Sequence, residues 1–492
     1  MLFNSYIFIL LFLPLSLTGY FVCNAKGKYE WGKAWLTAMS LWFYAWFYVK
    51  YVLIIAGSIL GNYALYRLLL GRRGREAGRR GDLYLTAAGA GANLGVLFYY
   101  KYYDFFVENI NALCHTQFTL QRVLLPLGIS FFTFQQIGFL VDTYQGRTKN
   151  YPFMEYALFV TFFPQLIAGP IVTYDEMIDQ FADPQRKKWD AQWMSKGLYA
   201  FVCGLAKKVL IADIFGKAVA WGYGNPEALS GLTALWLIAS YSIQLYFDFS
   251  GYCDMARGIG LMFRIELPVN FFSPYKAHHL IEFWKRWHMT LTRFFTRYLY
   301  IPLGGSRKGT VRTCVNIMIV YFLSGLWHGA GWTFLFWGVM HGLIYVLTKL
   351  LLPVVERVPK ALGRLLNLIL IQVLWVFFRA ETMGQAWQVL AKAVSGGYAL
   401  AGVPEGFAEQ FRTPEFFYCL KVLHLDTLPY GIYFLMLAYM AAAWLLILCC
   451  RNVKERLEDF RPTMANSLCT AVLFLWSLVS LSEVSTFLYF NF

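Results

Sequence analysis

Apolar runs of membrane-spanning character recur from Met1 to Phe492 with no stretch of soluble composition between them, and this constrains the fold more than any other feature. A hydrocarbon layer about 30 Å thick needs roughly 20 apolar residues per helix. Such runs begin near residues 2, 35, 52, 83, 122, 157, 198, 230, 311, 332, 366, 430 and 466. Several are short or broken by Gly and Pro, so they predict about ten to twelve transmembrane helices, with interfacial and re-entrant helices beside them. Composition agrees. Only 14% of the 492 residues are charged, against about 25% in soluble domains. The 17 Trp and 33 Tyr suit many lipid–water boundaries. The chain reads as one all-α polytopic membrane domain, 1 to 492, and the N-terminal run MLFNSYIFILLFLPLSLTGYF, without a basic leader, reads as a retained first span.

Charge then orients the chain. A net charge of +15 would suggest nucleic acid in a soluble protein, but basic residues clustered between apolar spans follow the positive-inside rule and favour anionic head groups. Membrane lipids are therefore the expected partners, and nucleic acid is not. The loop GRRGREAGRR at 71 to 80 is predicted to be cytoplasmic. The basic segments at 306 to 312, 356 to 364 and 451 to 461 are each separated by two candidate spans, so all three fit the same side, and the C-terminus would then lie outside. The polar stretch at 386 to 429, broken by Gly396, Gly397, Pro404 and Pro414, reads as an extracytoplasmic loop. The nine cysteines contain no Cys-x-x-Cys pair, which indicates neither a metal knuckle nor a disulfide framework.

Four segments carry polar chemistry in apolar surroundings. In LIEFWKRWHMTLTRFFTRYLY, 280 to 300, apolar residues fall at helical spacing and Lys285, Arg286, Arg293 and Arg297 occupy other faces, which predicts one amphipathic interfacial helix. His288 falls on its apolar stripe. In YFLSGLWHGAGWTFLFWGVMHG, 321 to 342, His328 has no charged neighbour, so it reads either as a neutral base or as a hydrogen-bond bridge. Gly325, Gly329 and Gly331 read either as a helix break or as packing positions, and His341 as structural. In QLYFDFSGYCDMARG, 244 to 258, Asp254 can pair with Arg257. Asp248 has no basic residue within a turn and must meet water, another helix or a substrate. The run IPLGGSRKGT, 301 to 310, lacks phosphate-loop spacing and suits head groups equally well.

The runs TFFPQLIAGPI, YFDFSGYCDMARGIGLMF, EFWKRWHMTL, YLYIPLGG, LSGLWHGAGWTFLFWG and the terminal FLYFNF, in that order, resemble the membrane-bound O-acyltransferases, and within them the bacterial alginate O-acetylation branch. The resemblance implies a ring of helices around a central pore, in a bacterial inner membrane, with a catalytic core at about 120 to 345. It makes His328 the principal catalytic residue and His288 the second, with Trp284, Trp287, Trp327 and Asp248 beside donor or substrate. It also implies a cytoplasmic thioester donor, acetyl-CoA, no bound cofactor or metal, a polysaccharide acceptor outside, and a separate extracytoplasmic partner with a serine hydrolase-like site. One departure is visible, because Thr296 and Arg297 stand where the branch commonly has Arg-Asp. Transfer to teichoic acid, peptidoglycan or lipid is the alternative within the family. A transporter of lipid-linked sugars is the alternative outside it.

Overall fold

Backbone in hydrocarbon has to satisfy its own N–H and C=O groups, and among the described residues every regular element is helical. The structure, a computed structural model, describes residues 1–72, 79–422, 424, 431–481, 487 and 488. Most of the basic loop at 71 to 80, and most of the terminal FLYFNF, lie outside the described residues. In chain order the helices that build and frame the site are α1 (Leu13–Ala25), α2 (Lys50–Gly71), α3 (Ile129–Tyr144), α4 (Ala191–Ala206) and α5 (Gly231–Met262). They are followed by α6 (Leu280–Trp284), α7 (Met289–Phe295), α8 (Thr310–His328), α9 (Trp332–Leu350), α10 (Lys360–Arg379) and α11 (Gly431–Cys449).

Among the described residues six helices are long and apolar enough to cross a membrane: α1 with the π-helical turn before it, α2, α8, α9, α10 and α11. The remaining apolar runs fall short for physical reasons. Helices α3 and α4 have only 16 residues each. Helix α5 has 32 but interrupts its apolar surface with Asp248, Asp254 and Arg257. Buried along almost its whole length, α5 packs against α4, α10 and α11.

Small residues set how closely these helices approach. A Cβ on Gly204 would stand 2.5 Å from the Gly251 carbonyl, and one on Gly197 2.6 Å from that of Gly258, so α4 and α5 meet backbone to backbone at two places a heptad apart. The α8–α9 hairpin is sealed the same way. A Cβ on Gly338 would lie 2.5 Å from the Tyr321 carbonyl, and one on Gly325 2.5 Å from that of Phe334. Gly325 is therefore a packing position. Gly329 and Gly331 adopt extended backbone between the two helices.

One sequence expectation changes. The segment 280 to 300 is not one amphipathic helix: α6 ends at Trp284, and α7 starts only after His288, which takes left-handed φ 45°, ψ 51°. The break is stable because a neighbouring strand of chain satisfies the opened backbone. Met289 N donates to the Asn270 carbonyl at 2.9 Å, and Phe272 N to that of Arg286 at 2.9 Å. The stretch 386 to 429, where described, carries local order of its own. It forms short helices held down by contacts such as Gln388 to Glu227 (2.6 Å) and the Tyr223 carbonyl to Gln385 (3.0 Å).

Candidate active site

His328 is the last residue of α8, where the final carbonyls of a helix have no partner in their own helix. In an apolar bundle those groups need donors from elsewhere. A π-helical turn at Phe98–Tyr102 supplies them. Lys101 Nζ donates to the Trp327 carbonyl at 2.5 Å and, more weakly, to that of His328 at 3.4 Å. Tyr102 Oη donates to the Leu326 carbonyl at 2.9 Å. A cation at a helix C-terminus also complements the helix dipole. Two consecutive residues thus fix the end of α8, and with it the backbone that carries the imidazole.

The imidazole of His328 is buried in an aromatic cage. Ring centroids lie 4.9 Å away for Trp327, 5.2 Å for Trp337 and 5.1 Å for Phe378. His288 reaches the same place from a different element, its ring 6.3 Å from that of His328. The left-handed turn that breaks the 280 to 300 segment is what aims it inward.

The protonation pattern of His288 follows from its partner. Its Nδ1 lies 3.2 Å from Asn270 Oδ1, an oxygen that also accepts from Thr290 N at 3.2 Å and Thr290 Oγ1 at 2.9 Å. The backbone donor fixes that atom as oxygen, so the hydrogen of a neutral imidazole sits on Nδ1 and Nε2 keeps its lone pair.

Two cavities approach the histidines along α8 and α9. The smaller, about 270 Å³, is lined by Trp284, Tyr300, Tyr321 and Ser324, with Lys285 and Lys349 also in its wall. Ser324 is one turn before His328. The larger, about 840 Å³, is lined by Gly331, Phe334 and Phe378 and by charged groups including Lys217, Arg379, Glu381 and Glu415. Phe378 of the larger cavity is the ring packed on His328 and Ser324 of the smaller one is a turn away, so each cavity reaches a neighbour of the imidazole.

The remaining sequence-predicted residues separate. Trp284 lines the small cavity and donates from Nε1 to His341 Nδ1 at 3.3 Å. Trp327 packs on Phe131 and Phe134 and under the Lys101 ammonium, which is 5.7 Å from its ring. Trp287 is buried among Phe271, Phe283 and Trp375 and lines neither cavity. Asp248 takes the other-helix option: Lys208 Nζ is 2.6 Å away and Leu488 N donates at 3.0 Å, while Lys208 also meets Asp213 at 2.8 Å. Asp254 pairs with Lys207 at 2.6 Å rather than with Arg257. At the Thr296–Arg297 departure, Arg297 Nη2 lies 2.6 Å from the buried Asp142 of α3, which also accepts from Tyr298 Oη at 2.7 Å.

Lys101, Tyr102, Asn270 and Phe378 are absent from the sequence-derived site. For Lys101 a signal existed, a single lysine inside the aromatic run VLFYYKYYDFF, where an intramembrane charge warrants a role. Asn270 and Phe378 lack one, because their importance lies in contacts with residues 18 and 50 positions away.

Comparison with known proteins meets this geometry. The family model for the membrane-bound O-acyltransferase family matches residues 140–381, which contain both histidines. The chain is 38% identical to a peptidoglycan O-acetyltransferase of Helicobacter pylori, over 100% of this chain and 98% of that one. It is 36% identical to a probable alginate O-acetylase AlgI of Pseudomonas aeruginosa, over 81% of this chain and 75% of the relative. It is 27% identical to a teichoic acid D-alanyltransferase of Streptococcus thermophilus, over 45% and 56%. Full-length similarity at this level, on an all-helical frame that brings two buried histidines together, makes the chain an O-acyltransferase belonging to the membrane-bound O-acyltransferase family.

Proposed function

We propose that this enzyme moves an acetyl group from cytoplasmic acetyl-CoA to hydroxyls of an extracytoplasmic polysaccharide. Peptidoglycan is the first candidate acceptor, because the similarity to a peptidoglycan O-acetyltransferase runs the full length of both chains. The single observation that carries the reading is the position of His328, with Ser324 of the small cavity one turn before it and Phe378 of the large cavity against its ring. In this reading, helices shorter than a full span complete a ring of ten to twelve crossings around a central pore, in a bacterial inner membrane. The acceptor arrives through the wide polar cavity. The donor enters the apolar one, where Lys285 and Lys349 suit the phosphates of a nucleotide-bearing thioester.

The chemistry balances on one residue. His328 accepts the proton of the attacking hydroxyl as its oxygen bonds to the thioester carbonyl carbon. The carbon–sulfur bond then breaks, and the imidazolium returns the proton to the departing thiolate, giving an ester and free coenzyme A thiol. His288, held by Asn270, orients the reacting groups through its Nε2 lone pair. Where transfer runs through a separate serine hydrolase-like partner on the outer face, the attacking hydroxyl is that partner's serine, and a polymer hydroxyl then takes the acetyl group from the serine ester and frees the serine again.

The test uses the purified chain in proteoliposomes supplied with radiolabelled acetyl-CoA on one face. Thiol release that depends on the chain, with label recovered on a soluble glycan oligomer or on the added partner at the opposite face, supports the proposal. Passage of a lipid-linked sugar with no thioester cleavage would replace it with a transporter.

A further inference from the structure

Away from the histidines, a groove of about 710 Å³ opens between α1 and α4, closed on one side by Phe474. Its walls are aliphatic and aromatic, with Leu17 from α1 and Leu198 from α4. One end is different. Lys187 and Lys188 line it, followed in sequence by Trp189, which is exposed. Asn24 lines the same cavity, its buried Nδ2 near the Tyr20 hydroxyl but without a well-formed hydrogen bond among the described residues. Directly beyond the end of α1 come Lys26 and Lys28. A buried amide donor left unsatisfied costs free energy unless a ligand meets it.

We propose that this groove binds one anionic phospholipid, with an acyl chain lying between α1 and α4 and the phosphate held by Lys187, Lys188 and the Asn24 amide. The apolar length, the cationic end and the neighbouring Trp together match the three parts of such a lipid: chain, phosphate and interfacial boundary. Lys187 is placed for it, its ammonium fixed 4.5 Å over the Tyr29 ring. The site shares no lining residue with the two cavities beside His328.

Native mass spectrometry of the purified full chain in detergent micelles containing phosphatidylglycerol or phosphatidylcholine tests this. The wild type should retain one phosphatidylglycerol in preference to phosphatidylcholine. Lys187→Gln with Lys188→Gln should lower that preference at least fivefold, since each lysine near an anionic surface contributes about a fivefold factor. Leu17→Trp, which fills the groove and leaves the charge alone, should remove both lipids, and thermal unfolding in the same detergent confirms that each variant is folded. Equal retention of the two lipids by the wild type, or unchanged retention in folded Leu17→Trp, overturns the proposal. So does displacement of phosphatidylglycerol by millimolar inorganic phosphate, which would make this a phosphate site rather than a lipid site.

Discussion

At the site itself each histidine is held by a polar neighbour that can be changed without altering the imidazole. Lys101→Met keeps the length of the side chain and deletes the donor to the Trp327 and His328 carbonyls. A hydrogen bond to a charged group contributes about 1.5–3 kcal/mol, so kcat should fall roughly 10- to 100-fold, with little change in KM for acetyl-CoA. Lys101→Arg should recover part of the loss, and steady-state kinetics on both variants checks it. Asn270→Ala removes the acceptor that fixes His288. Its expected effect is a kcat about 10- to 100-fold lower, as for other lost orienting partners, with thermal unfolding as the control. His288 and His328 stand out in the sequence as polar residues in apolar runs, but their expected roles come from the family resemblance; the structure brings the two rings together. Lys101 stands out in the same way, as a lone lysine in an aromatic run. Asn270 was hidden, because its role exists only once the 270 to 272 segment lies against 286 to 289.

Among the elements, the hairpin of α8 and α9 depends on backbone contact. Gly338→Val puts branched carbon where the Tyr321 carbonyl is 2.5 Å from a Cβ, and neighbouring backbone cannot yield as a flexible side chain would. Overpacking of this kind costs typically 1–3 kcal/mol, so the variant should melt earlier and lose activity with it, as thermal unfolding in detergent can establish. Gly91→Ala, where a Cβ meets nothing within 4 Å, should be close to neutral. Helical character was readable from hydrophobic spacing almost everywhere. The break at His288 was not, because the apolar stripe of 280 to 300 continues through it in period. The pairing that pays for the open turn comes from residues outside that window. Likewise, the short helices within 386 to 429 are built on contacts with Tyr223 and Glu227, which composition does not reveal.

Over the whole molecule, the membrane character and the family were legible from the recurrence of apolar runs and six ordered motifs, and the packing that joins them was not. The number of crossings is hard to read for a definite reason: α3 is only 16 residues long and α5 interrupts its apolar surface with Asp248, Asp254 and Arg257, so neither qualifies as a span by length and hydropathy although both are largely buried. Sidedness is open to direct labelling. A cysteine introduced at Lys308 should resist an impermeant maleimide in intact cells, and one at Tyr398 should react, both positions being exposed in the structure; the reverse pattern would invert the topology and the direction of transfer. The decisive measurement is turnover by purified His328→Gln, whose side chain can hydrogen-bond but cannot take a proton at neutral pH. With the melting temperature unchanged, acetyl transfer should fall about 10²- to 10⁴-fold while acetyl-CoA still binds. Near-normal transfer by this variant would contradict the assignment of His328 as the base.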